Sequence, residues 1–183
     1  MIYQEQNDAI QGEEFPEHSK GNTSLFDEAN NMLTRICGPE FAIKSLPVPL
    51  AGTEALRDKR IFMGDDQATY FSSFIPSLLV ETDGKAKFVL HKDQTVKELA
   101  DSIIESESDI ALLDLNMANG ISGTDVARMV KEKGFSGKII GFSSDMRAVN
   151  AFKQVGANGV VRKDSNNQEA TIREIVQIIT KLK

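Results

Sequence analysis

The sequence of 183 residues lacks several features of secreted and membrane proteins. Its one cysteine, Cys37, excludes an internal disulfide and suits a reducing compartment. Its start, residues 1–8, is polar and acidic, which is not the pattern of a secretory signal peptide. No apolar run approaches the roughly 20 residues that cross a bilayer. We therefore expect a cytoplasmic protein with no membrane partner.

Basic residues are scarce in the first third of the chain. Residues 1–58 hold ten acidic and four basic residues, whereas residues 59–183 hold seventeen of each, so the net charge of −6 lies in the first part. An acidic segment is a poor ligand for nucleic acid, because phosphate contacts need lysine and arginine. We expect no nucleic-acid partner. The acidic segment could contact a basic protein surface, although keeping the chain soluble is the simpler explanation.

The most informative part of the sequence is an apolar run that ends in a carboxylate. Residues 110–113 are Ile-Ala-Leu-Leu, and Asp114 follows them directly. A buried parallel strand is typically a continuous apolar run, and open α/β sheets bind ligands at the carboxyl ends of such strands. An isolated carboxylate at this place costs free energy unless something compensates its charge. Asp114 is therefore predicted to lie in a functional site.

Three further apolar runs also end in polar residues: the first in Asp65 and Asp66, the second in Ser143 and the third in Lys163. A segment of helical periodicity follows each run, so the strands should be parallel and joined by right-handed crossovers. These side chains and Asp114 then meet at one edge of one sheet. Three carboxylates in one pocket repel each other unless a cation lies among them, and Mg²⁺ is a hard divalent ion that suits oxygen ligands.

Each of these pieces also has a structural explanation. An acid pair after a strand often caps the next helix and favours its dipole, and for Asp65 and Asp66 alone this explanation is the stronger one. Ser143 could likewise cap a helix, although its neighbours Ser144 and Asp145 could do so as well. A lone lysine is usually a solvated surface residue. Only the joint pattern favours a functional site.

The chain from residue 59 to 183 resembles the receiver domain of two-component response regulators. The resemblance rests on the acid pair, on Asp114-Leu115-Asn116-Met117, on Ser143, and on Lys163 after a Gly-Ala-Asn-Gly turn and a short strand. It implies a five-stranded parallel doubly wound sheet of flavodoxin-like order 2-1-3-4-5. Residues 1–58 would then be an acidic N-terminal extension, and no output domain is expected to follow the last helix.

The resemblance implies a role for each polar residue of the acidic pocket. Asp114 would accept a phosphoryl group from a phosphohistidine of a sensor histidine kinase or phosphotransfer protein. Mg²⁺ would be held by Asp66, Asp114 and the backbone carbonyl of Asn116, while Asp65 would reach it through water. Lys163 would pair with Asp114 at rest and with the phosphoryl oxygens afterwards.

The resemblance also implies a switch that a downstream protein target would read. Ser143 would donate a hydrogen bond to the phosphoryl group and draw in the loop that follows it. The switch position usually holds an aromatic residue, but here it is Val160, so the output surface could switch differently or weakly. Two further departures are Ala118 in place of the usual proline and a segment, 119–123, that is one residue longer than usual. Asp164 follows the lysine where a proline is common.

Three functions remain open from the sequence. The first is a phosphoaccepting receiver that signals by protein contact, in a bacterial cytoplasm, and is not a turnover enzyme. The second is a degenerate receiver that acts as a phosphorylation-independent interaction module. The third is a phosphatase with an aspartyl intermediate, which Asn116 disfavours because many such enzymes carry a second aspartate at that position as general acid.

The N-terminal extension has three parts. Residues 1–22 are polar and are expected to be disordered or loosely docked. Ser24 and the two residues before it could cap a helix at about 23–36, and residues 39–58 are predicted to be an irregular linker. The helix has an apolar face that must be covered by the receiver, a second copy or a partner. That face consists of Leu25, Phe26, Ala29, Met32, Leu33 and Ile36.

Periodicity places the remaining elements. Strands are predicted near 59–64, 86–91, 109–114, 137–142 and 158–162, and helices near 67–81, 95–106, 123–133, 146–155 and 167–182. Pro76 should kink or break the first of these helices. The two histidines, His18 and His91, receive no functional role, because His18 is expected in an exposed loop and His91 away from the acidic site.

Overall fold

The computed structural model describes residues 24–181. The expectations for residues 1–22, His18 among them, lie outside this range.

Five parallel strands form one sheet in the order β2-β1-β3-β4-β5, which confirms the predicted order. The central strands are buried because helices cover both faces of the sheet. The strand bounds are β1 (Ile61–Asp65), β2 (Ala86–Leu90), β3 (Ile110–Leu113), β4 (Lys138–Ser143) and β5 (Gly159–Arg162).

Within residues 24–181, six α-helices flank the sheet in two layers. Side chains of α1, α2 and α6 share one apolar cluster with the sheet, and side chains of α3, α4 and α5 share another on the opposite face. This is the doubly wound arrangement that alternating strands and helices predict. The helix bounds are α1 (Leu25–Ile36), α2 (Ala68–Glu81), α3 (Val96–Glu105), α4 (Gly123–Glu132), α5 (Ala148–Gln154) and α6 (Gln168–Lys181).

Helix α2 contains Pro76, for which a kink or a break was expected. The helix continues as one element from Ala68–Glu81, so the break is absent. Phe74 and Leu78, on either side of the proline, are both fully buried. Packing of both halves against the sheet offsets the hydrogen bond that a proline inside a helix removes.

Helix α1 packs along α2 and closes the first apolar cluster. Ser24 caps it through a capping box with Asp27. Ala29 and Leu33 are fully buried, and most other members of the predicted apolar face are half-buried against the same cluster. The receiver, one of the three possibilities given above, therefore covers this face of α1.

The segment between α1 and β1 is irregular, with short 3₁₀ turns at Pro39–Phe41 and Glu54–Leu56, but it is attached to the body of the protein. The Asn30 amide donates to the Ile43 carbonyl and accepts from the Ile43 N–H. Leu56 is fully buried. The segment is therefore a docked connection rather than a free linker.

Among the helices that the structure describes, none combines the length and the apolar character that a bilayer crossing needs.

Candidate functional site

The carboxyl edge of the sheet gathers the five predicted side chains. Asp65 is the last residue of β1 and Asp66 follows it, while Ser143 is the last residue of β4. Asp114 directly follows β3, and Lys163 directly follows β5. Because all the strands are parallel, these residues emerge at one edge, as the apolar runs predicted.

Lys163 lies between two carboxylates. Its Nζ is 2.6 Å from Asp65 Oδ2 and 3.0 Å from Asp114 Oδ2, and its side chain is only 1% exposed. The ring of Tyr70 lies beneath the ammonium, with its centroid 4.1 Å from Nζ. The predicted contact with Asp114 is present, and the sequence did not indicate the shorter contact with Asp65.

Asp65 is the most buried of the three acids. Burial raises its pKa from 3.8 to about 6, and the negative charge of Asp114 adds to this effect. The charge and hydrogen bond of Lys163 oppose it. Asp65 Oδ1 also accepts the backbone N–H of Gln67 at 3.0 Å, next to the start of α2. Asp65 therefore belongs to the polar cluster and also holds the turn before α2, but it does not cap the helix, whose N-cap is Gln67.

The three acids offer ligands for a cation. Asp65, Asp66 and Asp114 each place one carboxylate oxygen within 4.8 Å of the other two. Asp66 Oδ1 is buried and has no hydrogen-bond partner among the described residues. With Lys163, the ionised cluster carries a net charge of −2, which a divalent ion would offset. The donor set and the unpartnered oxygen fit a hard divalent cation.

The backbone around Asp114 is tightly packed. Asp114 is 4% exposed, and its Oδ1 accepts the N–H of Leu115 at 2.7 Å. Helix α4 begins beside it at Gly123, where a β-carbon would lie 1.9 Å from the Asp114 carbonyl oxygen. Only glycine allows this approach, so the position of the Asp114 backbone depends on Gly123.

Ser143 and the loop after β4 form the other wall of the site. Ser143 is buried, and its Oγ accepts the N–H of Asp145 at 3.2 Å, which leaves the hydroxyl hydrogen able to donate elsewhere. Asp145 also accepts from Arg147 Nη2 at 2.6 Å and from Asn116 Nδ2 at 3.1 Å. Hydrogen bonds from Arg147 hold the pKa of Asp145 well below its usual range. The loops after β3 and β4 are thus joined above the cluster.

The structure also places Val160, the expected switch position, and His91, for which no role was expected. Val160 is half-buried in β5, pairs with Gly141 of β4 and packs on the second apolar cluster. His91 follows β2 and donates its backbone N–H to the Asp65 carbonyl at 2.7 Å. Its side chain contacts Gln94 and Ala118 rather than the acids.

The family model of the response regulator receiver domain matches residues 72–177. The chain therefore belongs to the response regulator receiver family. The acid pair lies before the matched range, so it rests on the structure described above. No curated protein sequence matches the chain.

Similar solved structures agree on the fold. The signal receiver domain of NarL from Mycobacterium tuberculosis is 21% identical, with a TM-score of 0.51 over 68% of this chain and 98% of that chain. A mutant of the receiver domain of the histidine kinase CKI1 from Arabidopsis thaliana is 19% identical, with a TM-score of 0.52 over 73% and 99% of the two chains. At these identities the likeness concerns the fold alone. A bacterial source and a cytoplasmic location stay predictions.

Proposed function

We propose that this receiver accepts a phosphoryl group on Asp114 from a phosphohistidine of a histidine kinase or phosphotransfer protein and then signals through contact with a protein target. The observation that carries the proposal is the position of Asp114. Its carboxylate lies 3.0 Å from the Lys163 ammonium and within one cluster of three acids. A carboxylate so placed suits covalent chemistry on a phosphoryl group.

The transfer exchanges one bond to phosphorus for another. An oxygen of Asp114 attacks the phosphorus, forming an O–P bond while the N–P bond to the donor imidazole breaks. The leaving nitrogen keeps the electron pair and takes up a proton. The Leu115 N–H holds Asp114 Oδ1, which fixes the orientation of the carboxylate during the attack.

Lys163 supplies a fixed positive charge to the same reaction. It is held by Asp65 on one side and by the Tyr70 ring on another, so its ammonium is positioned before any phosphoryl group arrives. Charges that are preorganised in a buried site stabilise a transition state without reorganising. After transfer the ammonium can pair with phosphoryl oxygens, as the family resemblance implies.

Asp66, Asp114 and the backbone carbonyl of Asn116 would hold Mg²⁺, with Asp65 reaching it through water. When bound, Mg²⁺ offsets the negative charge of the phosphoryl group. The unpartnered Asp66 Oδ1 supports this assignment, because a buried carboxylate oxygen without a partner is costly.

Ser143 would donate its hydroxyl hydrogen to the phosphoryl group and so bias the loop after β4. That loop is already joined to Asn116 through Asp145, so a movement at Ser143 would be passed to both loops. Val160 cannot report the change by ring rotation, and the output surface would respond through this loop instead.

The chain is proposed to be a signalling domain rather than a turnover enzyme. Many phosphatases with an aspartyl intermediate carry an aspartate two residues after the nucleophile as general acid, and the amide of Asn116 cannot serve as one. A phosphorylation-independent module would not need a complete set of acids, lysine and hydroxyl, and this chain keeps all of them at the sheet edge.

Intact-mass measurement after incubation with acetyl phosphate and Mg²⁺ tests the proposal. One added phosphoryl group is expected on the wild type and none on Asp114→Asn. Asp109→Asn, at the opposite end of the same strand run, is the matched control and should label like the wild type. Equal labelling of Asp114→Asn and the wild type would contradict the proposal.

Mg²⁺ affinity separates the roles of the acid pair. Asp66→Ala should weaken binding more than Asp65→Ala, because it removes a direct ligand rather than one acting through water. Calorimetric titration of both variants measures this, and wild-type affinity in Asp66→Ala would exclude the proposed ligand.

A further inference from the structure

The loop that carries Asn116 has few internal anchors. An antiparallel bridge joins Asn116 to Ser122 at its base, and Met117 donates its N–H to the Ile121 carbonyl at 2.9 Å. Its tip is exposed, and Asn119 has a left-handed backbone with φ 60°. We call residues 116–122 the β3 loop. Met117 is buried in the second apolar cluster and anchors the base of the loop, whereas the tip at Asn119 and Gly120 is exposed, so contacts from outside the loop hold the tip in place.

Two such contacts come from the segment after β2. His91 Nε2 lies 3.0 Å from the Ala118 carbonyl oxygen, and the Asn119 amide donates to the Lys92 carbonyl at 2.7 Å. The other ring nitrogen, Nδ1, lies 3.1 Å from Gln94 Oε1, so both ring nitrogens face oxygens that only accept and the imidazole is held between them. The contact with Ala118 is a hydrogen bond when Nε2 carries a proton.

His91 is also attached to the acidic pair. Its backbone N–H donates to the Asp65 carbonyl at 2.7 Å, one residue before Asp66. The residue is 1% exposed, so water does not compete for these hydrogen bonds. One buried residue therefore contacts the end of β1 through its main chain and the β3 loop through its side chain.

We infer that His91 is a positioning residue for the cation site: it holds the β3 loop, and with it Asn116, in a fixed place relative to Asp65 and Asp66. This inference rests on the proposed function, because it assigns His91 a role toward the Mg²⁺ that the acids would bind.

Two variants at position 91 separate the hydrogen bond from side-chain volume. His91→Leu fills similar space without a donor, whereas His91→Gln keeps an N–H donor at the same distance along the side chain. Calorimetric titration should show Mg²⁺ affinity about 10-fold weaker for His91→Leu, as is typical when a supporting group of a metal site is lost. His91→Gln should stay within about 3-fold of the wild type.

Two further readouts exclude a purely structural effect. In Mg²⁺-free protein, hydrogen exchange of the Met117 amide should be faster in His91→Leu than in the wild type, while exchange in β3 stays the same. Labelling by acetyl phosphate should need more Mg²⁺ for half-maximal rate in His91→Leu, but its rate at saturating Mg²⁺ should match the wild type.

Wild-type Mg²⁺ affinity in His91→Leu, or equal losses in His91→Leu and His91→Gln, would overturn the tether while leaving the proposed function intact. A wild type that binds no Mg²⁺ would overturn both. If His91→Leu does not fold, Asn119→Gly decides, since it keeps the left-handed backbone and removes the second contact. An affinity about 10-fold weaker supports the tether, and an affinity within about 3-fold of the wild type overturns it.

Discussion

The buried carboxylate of Asp65 makes the stability of the metal-free protein depend on pH in a definite direction. Its pKa is raised from 3.8 to about 6, so the folded state binds this proton more tightly than the unfolded state does. The free energy of unfolding therefore falls as pH rises from about 4 to about 6. A shift of about 2 pKa units corresponds to about 3 kcal/mol once Asp65 is fully ionised.

Asp65→Asn isolates this effect. The amide cannot ionise, its oxygen can still accept the Gln67 N–H, and Lys163 keeps its contact with Asp114. We expect the free energy of unfolding of the variant, relative to the wild type, to increase by about 2.5 kcal/mol between pH 4 and pH 8, because a small part of the effect lies below pH 4. Effects of the substitution that leave the ionisation of neighbouring groups unchanged shift this difference by a constant, so the slope with pH is the quantity that matters.

Urea unfolding in the presence of EDTA at a series of pH values provides the assay. Circular dichroism suits it, because the sequence contains no tryptophan. Asp93→Asn removes an exposed carboxylate and controls for the change in net charge. A difference between Asp65→Asn and the wild type that stays constant within about 0.5 kcal/mol across this range would show that burial does not raise the pKa of Asp65.

Three further predictions concern the fold around the site. Leu33→Ala should lower the free energy of unfolding by about 3 kcal/mol, because the side chain is fully buried between α1 and the receiver. The control Asn31→Ala, at an exposed position of the same helix, should change it by less than about 0.5 kcal/mol. Equal effects of the two substitutions in urea unfolding would show that α1 is only loosely attached. Gly123→Ala should lower the free energy of unfolding by at least about 2 kcal/mol and reduce labelling of Asp114, because its methyl group would meet the Asp114 carbonyl. The control Arg128→Ala, on the same helix, removes one exposed ion pair and should lower the free energy of unfolding by less than about 1 kcal/mol. Hydrogen exchange should be slow within 25–36, and fast exchange there would contradict the packing of α1.

Most of the sheet could be predicted because its strands carry the signal within themselves. Each central strand is a continuous apolar run, and a polar residue that would be costly in the core marks its end. Because the strands are parallel, their carboxyl ends lie at the same edge of the sheet, and this brings Asp114 and Lys163 together. The apolar spacing of α1 likewise predicts a helix with one buried face, centred on Leu33.

Contacts between separate segments could not be predicted in the same way. An amphipathic pattern says that a face is covered but not by what, so the packing of α1 on α2 needed the structure. The ion pair of Lys163 with Asp65 depends on how far β1 and β5 are apart at the sheet edge, which no local pattern encodes. The contacts of His91 likewise depend on how the β3 loop folds toward it, and no local pattern of the sequence indicates them.

The most direct test of the central claim is to locate the phosphoryl group on the intact wild-type protein. Labelling with acetyl phosphate and Mg²⁺, followed by borohydride reduction, converts an aspartyl phosphate to homoserine, which peptide mass spectrometry can assign to a position. If Asp114 is the phosphoacceptor, homoserine will be found at position 114 and at no other aspartate. Homoserine at position 65 or 66, or none at all, would contradict it.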